Sequence, residues 1–178
     1  MRSARRRLRG AALVELALLL PLLLLLTLGV VDFSRAIQYN TVLVNLSREG
    51  ANLSARTTEA PESIFRALVD TATPLAMNVD GIMYITRLVG RADGRATVAE
   101  QYRPAGGGKT TLPSRIWDDC PAWSAGRCAV PESAPVITLA VALREGETVF
   151  AVEAIYDYRV LTRYVFDDDP RLYSVTIL

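Results

Sequence analysis

Glu15 is the one charged side chain between Ala11 and Val31, a run of 21 residues that is otherwise almost wholly aliphatic. An unpaired carboxylate in hydrocarbon costs on the order of 2.5–3.5 kcal/mol on insertion scales, so an acid retained there implies a partner of opposite charge. Immediately before the run stands Gly10, preceded by Arg2, Arg5, Arg6, Arg7 and Arg9. At such a junction a peptide bond flanked by glycine, with no side chain in the way, is open to a protease facing the cytoplasm.

Three other clusters invite chemistry. Cys120 and Cys128 lie eight apart and flank Pro121 and Gly126 inside Pro104–Pro135, a stretch rich in Gly, Pro and Ser. Outside the cytoplasm such a pair reads as a disulfide closing a small loop; free thiols or a metal site are the alternatives, and no further ligands accompany them. Gly106-Gly107-Gly108-Lys109-Thr110 invites comparison with a phosphate-binding loop, but Arg103 occupies the position of the required first glycine and Pro113 interrupts any following helix. It reads as a flexible turn. Asp167-Asp168-Asp169 could offer oxygen ligands to calcium, yet it lacks the alternating spacing of a calcium loop and reads as a solvated turn.

Composition narrows the chemistry further. The chain contains no histidine, which excludes Ser-His and Cys-His nucleophile systems and histidine-ligated metals. No enzyme constellation stands out, and no cofactor is implied. Setting aside the five leader arginines leaves 15 basic against 19 acidic residues, a balance of −4, so the basic excess belongs to the amino terminus. That distribution favours a cytoplasmic amino terminus with the bulk of the chain outside, and it leaves no nucleic-acid footprint.

These residues need elements to hold them. At about 1.5 Å rise per residue, Ala11–Val31 spans roughly the 30 Å of a bilayer core. Beyond Val31, Ala36, Tyr39, Leu43, Leu46, Gly50 and Leu53 recur at spacings of three and four, so the helix continues as an amphipathic stem to Arg56. Pro21 is expected to kink the apolar half. After a break at Thr57–Pro61, a second helix is predicted from Pro61, with Ile64, Phe65, Leu68, Val69 and Ala72 on one face and Pro74 ending it near Thr73.

Strands are predicted at Ile82–Val89 and Ala96–Tyr102, joined through Asp93-Gly94, and at Val136–Arg144 and Thr148–Leu161, joined through Glu145-Gly146-Glu147. In the last of these, Phe150, Val152, Ala154, Tyr156 and Tyr158 form the better core face, leaving Glu153 and Asp157 on a solvated one. Tyr173–Leu178 reads as a short edge strand, a tail being the alternative. Trp117 and Trp123 bracket Cys120 and are expected to pack on the disulfide, an exposed contact patch being the alternative.

The basic leader, Gly10, then A-A-L-V and Glu15 resemble the class III leader of type IV pilins and pseudopilins. The longer pattern R-G-A-A-L-V-E-L-A-L-L-L-P, G-V-V-D-F-S-R and N-L-S-R-E-G-A resembles the TadE-like proteins, minor pilins of tight adherence (Tad) pili, over about the first 56 residues. Leu16 stands where major pilins of this type carry tyrosine. The resemblance implies a prepilin peptidase cutting between Gly10 and Ala11, and Glu15 pairing with the new amino terminus of a neighbouring subunit. It further implies other minor pilins, the major pilin, the inner-membrane assembly machinery and membrane lipid as partners.

Together these readings predict an α+β chain. Residues 1–10 are a cleaved leader, 11–31 a transmembrane helix, 32–56 an amphipathic stem, and 57–178 an extracytoplasmic head with a disulfide loop at 104–135. The head is one short helix on a four-stranded antiparallel sheet, pilin-like by resemblance. The rival reading is an uncleaved, single-pass anchored module of the cell envelope that binds a partner through its head.

Overall fold

The computed structural model describes residues 2–161 and 170–178, with side chains from residue 13 onward. The Asp167–Asp169 cluster therefore lies outside the described residues. Backbone contacts divide the chain into two compact units, Met1–Ile37 with Arg159–Asp169, and Gln38–Tyr158 with Pro170–Leu178. Helix α1, Arg2–Arg56, contributes to both and continues through Pro21.

In the first unit the apolar stretch of α1 is uncovered by the described residues. Side chains from Leu13 to Val31 are exposed, and the most apolar 18-residue window has no buried residue, so the helix is a candidate membrane span by length and composition. Thr27 donates its hydroxyl to the Leu23 carbonyl at 2.8 Å, which satisfies a polar group inside the apolar stretch. Asp32, near the end of that stretch, is buried and accepts the Leu161 backbone N–H at 2.8 Å.

The second unit is built on a seven-stranded antiparallel sheet in the order β3-β4-β2-β1-β6-β7, with β5 also on β2. Its strands are β1 (Gly81–Gly90), β2 (Ala96–Tyr102), β3 (Trp123–Ser124), β4 (Arg127–Cys128), β5 (Val136–Ile137), β6 (Thr148–Asp157) and β7 (Arg171–Ile177). The four-strand expectation is thus corrected. Four strands are long and three have two residues each, and the long ones are not the four predicted. Val136–Arg144 is strand only at Val136–Ile137, while the C-terminal segment is a full strand beginning at Arg171.

The physical reason lies in β1 and β6. Both are ten residues long, both are nearly continuous in apolar or β-branched residues, and they pair from Gly81↔Tyr156 to Val89↔Thr148. Strands apolar on both sides gain most by lying next to each other in the sheet centre, where both faces are covered. Residues 136–143 are also apolar or β-branched, yet only Val136 and Ile137 pair, with β2, and Val141 is 71% exposed. The hairpin between β1 and β2 forms as its Asp93-Gly94 signal indicates, with Gly94 at φ +76° and the Arg91 N–H donating to the Arg95 carbonyl at 2.8 Å.

Helices cover one face of this sheet. The α1 seam is buried at Leu43, Leu46, Ser47, Gly50 and Ala51, and Tyr39 meets Tyr156 and Tyr158 edge-on at 5.7 and 5.3 Å between centroids. At Gly50, α1 approaches both α2 and β6 closely: a Cβ there would lie 2.9 Å from Val152 Cγ1 and 3.1 Å from Leu68 Cδ1. Helix α2, Pro61–Thr71, begins with proline at its first turn and buries Ile64, Phe65 and Leu68, two residues shorter than predicted.

The connection between β2 and β5 covers the other face. Leu88, Val98, Trp117, Cys128, Val149 and Ala151 form one apolar cluster there, and Ile82, Tyr84, Leu112 and Ile155 form a second. The face of β6 expected to meet solvent is therefore buried: Val149, Ala151, Glu153 and Ile155 are all at most 9% exposed. An antiparallel sheet can leave one face wet, but here a loop of low apolar content is drawn over it by polar anchors.

Candidate functional site

Of the residues expected to carry function, Gly10 and Ala11 lie within α1, and Glu15 lies one turn further along. Glu15 is exposed, and among the described residues it has no hydrogen-bond or ion-pair partner. The apolar side chains on either side, Val14 and Leu16, are 61% and 53% exposed. A carboxylate so placed can be neutralised by a cation from another chain, because this surface of the helix is open around it.

Cys120 and Cys128 are joined in a disulfide with Cα atoms 5.9 Å apart. The bond lies beside hairpin β3–β4, whose turn residues Ala125 and Gly126 both have positive φ, +45° and +78°. Only glycine fits the second position, since a Cβ on Gly126 would stand 2.3 Å from the Arg103 carbonyl oxygen. Trp117 is buried in the cluster that contains Cys128, and Trp123 is half-buried against it, as expected for aromatics packing on a disulfide.

The polar anchor of the head is a residue the sequence pattern misassigns. Glu153 is fully buried, not solvated. Its carboxylate accepts the Ser114 hydroxyl, the Arg115 backbone N–H at 2.8 Å and the Tyr173 hydroxyl at 3.0 Å. The Ser114 oxygen in turn accepts the Ile116 and Trp117 N–H groups at 3.2 and 3.3 Å. One side chain on β6 thereby fixes the loop above it and the neighbouring strand β7. Burial, reinforced by the Glu153 carboxylate beside it, pushes the Tyr173 phenol well above its usual range.

The glycine-rich stretch is held rather than flexible. Gly107 and Gly108 adopt φ +78° and +81°, the Gly108 and Lys109 N–H groups donate to the Asn78 and Gly81 carbonyls at 2.7 Å, and Lys109 pairs with Asp157. The Gly108 and Lys109 amides are thus spent on the chain itself and are not turned to a phosphate. Gln101, fully buried, donates to the Trp117 carbonyl at 2.8 Å and so pins the loop at a further point. Among the described residues no group of three or more Cys, Asp or Glu side chains converges to hold a metal ion.

The only sequence signal for the Glu153 anchor is an acid at an inward position of an otherwise apolar strand. Neither Ser114 nor Tyr173 carries a signal of its own. No curated protein and no solved structure matches the chain. Residues 10–52 match the family model of TadE-like proteins, so that amino-terminal segment is similar to the family.

Proposed function

We propose that the protein is a minor pilin, or pseudopilin, that helps to assemble, initiate or tip a Tad pilus for surface adhesion, and that it is not an enzyme. In this reading it is inserted with its arginines in the cytoplasm and its head in the periplasm, and prepilin peptidase cuts it between Gly10 and Ala11. The carboxylate of Glu15 then meets the Ala11 amine of an adjacent subunit. Each group is costly in lipid alone, and together they neutralise one another. Other minor pilins, the major pilin and the inner-membrane assembly machinery are the partners, with the seam of α1 linking span to head.

The observation that carries this reading is Glu15: exposed, flanked by exposed aliphatic side chains, and without a partner among the described residues. Two measurements test it. The amino-terminal mass of protein from its native host should correspond to a chain beginning at Ala11; a chain beginning at Met1 removes the processing step. Glu15→Ala should insert at least as well as the parent yet fail to enter assembled pili. Normal incorporation of that variant would show that the acid pairs with nothing.

A further inference from the structure

The head contains a polar cleft of about 220 Å³ where the end of β2, hairpin β3–β4 and the loop after β2 meet, independent of the span and its processing. Its floor is Tyr84 and Trp117; its rim carries Arg103, Thr110, Thr111 and Asp118, with Trp123 as one wall. The volume is below the roughly 300–1,000 Å³ of sites for drug-sized molecules, which limits the occupant to about one ring.

Arg103 sets the chemistry. Its guanidinium lies 4.2 Å from the centre of the Trp123 ring, Trp123 and Tyr84 are 6.1 Å apart, and the Arg103 N–H donates to the Gly126 carbonyl at 2.8 Å. Arg103 takes no part in the ion pairs formed by Arg87, Arg91, Arg95, Lys109 and Arg127, and it hydrogen-bonds the Tyr84 phenol. A guanidinium over a ring has five in-plane N–H donors, so one hydrogen bond to Tyr84 leaves enough to meet a carboxylate in a two-pronged bond.

The rest of the rim narrows the ligand. Asp118 is exposed and in no ion pair, and beside it stand the exposed hydroxyls of Thr110 and Thr111. Arg103 and Asp118 together give the cleft no net charge. A phosphate dianion gains from the first and is repelled by the second, whereas a monoanion with several hydroxyl groups satisfies both, carboxylate to Arg103 and hydroxyls to Asp118 and the threonines. The walls are already rigid: Ser114 is tied to Glu153, and the Cys120–Cys128 bond fixes the hairpin that bears Trp123. Little ordering cost then remains for binding.

We infer that this cleft binds one acidic monosaccharide unit, a uronic acid, through Arg103 and Asp118. The test titrates the full chain in detergent micelles with D-glucuronate, D-glucose or inorganic phosphate and follows tryptophan fluorescence. Saturable binding of glucuronate with a millimolar dissociation constant is expected, with glucose and phosphate weaker by about tenfold or more. Arg103→Gln should lose glucuronate binding and Arg103→Lys should retain part of it. Asp118→Asn alters an exposed side chain in no ion pair, so it tests the cleft even if the Arg103 variants fold poorly, and it should weaken glucuronate several-fold. Absence of a saturable glucuronate signal overturns the inference, as does equal or tighter binding of glucose or phosphate, or an Asp118→Asn variant that binds glucuronate like the parent.

Discussion

Replacing Glu153 tests the claim that one buried carboxylate holds the loop on the sheet. In Glu153→Ala three donors lose their acceptor, and a small void opens beneath the loop. The Ser114 hydroxyl is only 5% exposed and cannot turn fully to water, whereas Tyr173 is half-buried and can recover part of its loss. An orphaned buried donor costs about 1–3 kcal/mol, and a hydrogen bond to a charged group contributes about 1.5–3 kcal/mol. The sum, discounted for the exposed partners, is about 3–5 kcal/mol. For a unit of this size that corresponds to a fall in Tm of roughly 10–20 °C. Glu153→Gln keeps the shape but turns an NH2 group towards donors, and should cost about 1.5–3 kcal/mol. Chemical denaturation of the full chain in micelles, read from Trp117 and Trp123, measures both, because the chain has two tryptophans and both lie in the loop. If the glutamine variant is as stable as the parent within about 0.5 kcal/mol, the carboxylate is not what holds the loop, and the reasoning fails.

Other outcomes follow from the same geometry. Gly50→Ala gains about 1 kcal/mol of helix propensity but must push on Val152 and Leu68, a strain of about 1–3 kcal/mol, so it should be destabilising by up to about 2 kcal/mol. Pairing it with Val152→Ala should show favourable coupling in a double-mutant cycle. Removing the Cys120–Cys128 bond, whose ends are 8 residues apart, should cost about 2.5 kcal/mol by loop entropy and shift Trp123 emission, both readable with Cys128→Ser. Tyr173 is protonated in the folded chain at pH values where the unfolded chain has lost that proton. Stability should therefore fall as pH rises above the ordinary tyrosine value of 10.0, and an alkaline denaturation series should show a shallower fall for Tyr173→Phe.

How far the sequence could be read depended on whether a residue's role was local. The helices, the Asp93-Gly94 hairpin and the α1 seam through Leu43, Leu46 and Gly50 rest on periodicity and turn chemistry within a few positions, and they stand as read. The disulfide was legible because two cysteines admit one pairing. What failed was anything set by distant segments. Glu153 reads as a solvated acid because its partners are 38, 39 and 20 positions away in the chain. The neighbour of β6 is β1, not the equally apolar segment just before it, and no pattern within either segment separates the two. Similarly, Gly106–Lys109 has the composition of a flexible turn, and its distant contacts with Asn78, Gly81 and Asp157 are what hold it. In the candidate site, Glu15 stands out from its surroundings in the sequence alone, whereas the cleft around Arg103 arises from three segments that composition does not connect.

The placement of Tyr173 has a temporal consequence. A ribosome delivers the chain from its amino end, and each segment becomes available in that order. Helices α1 and α2 and strands β1 to β5 are all made before Glu153, and Tyr173 comes 20 positions later still. The knot of hydrogen bonds that seats the loop is therefore closed only once β7 has emerged. A chain halted in late synthesis, or clipped before β7, would carry every rim residue of the cleft and still lack one of the three donors that secure its floor.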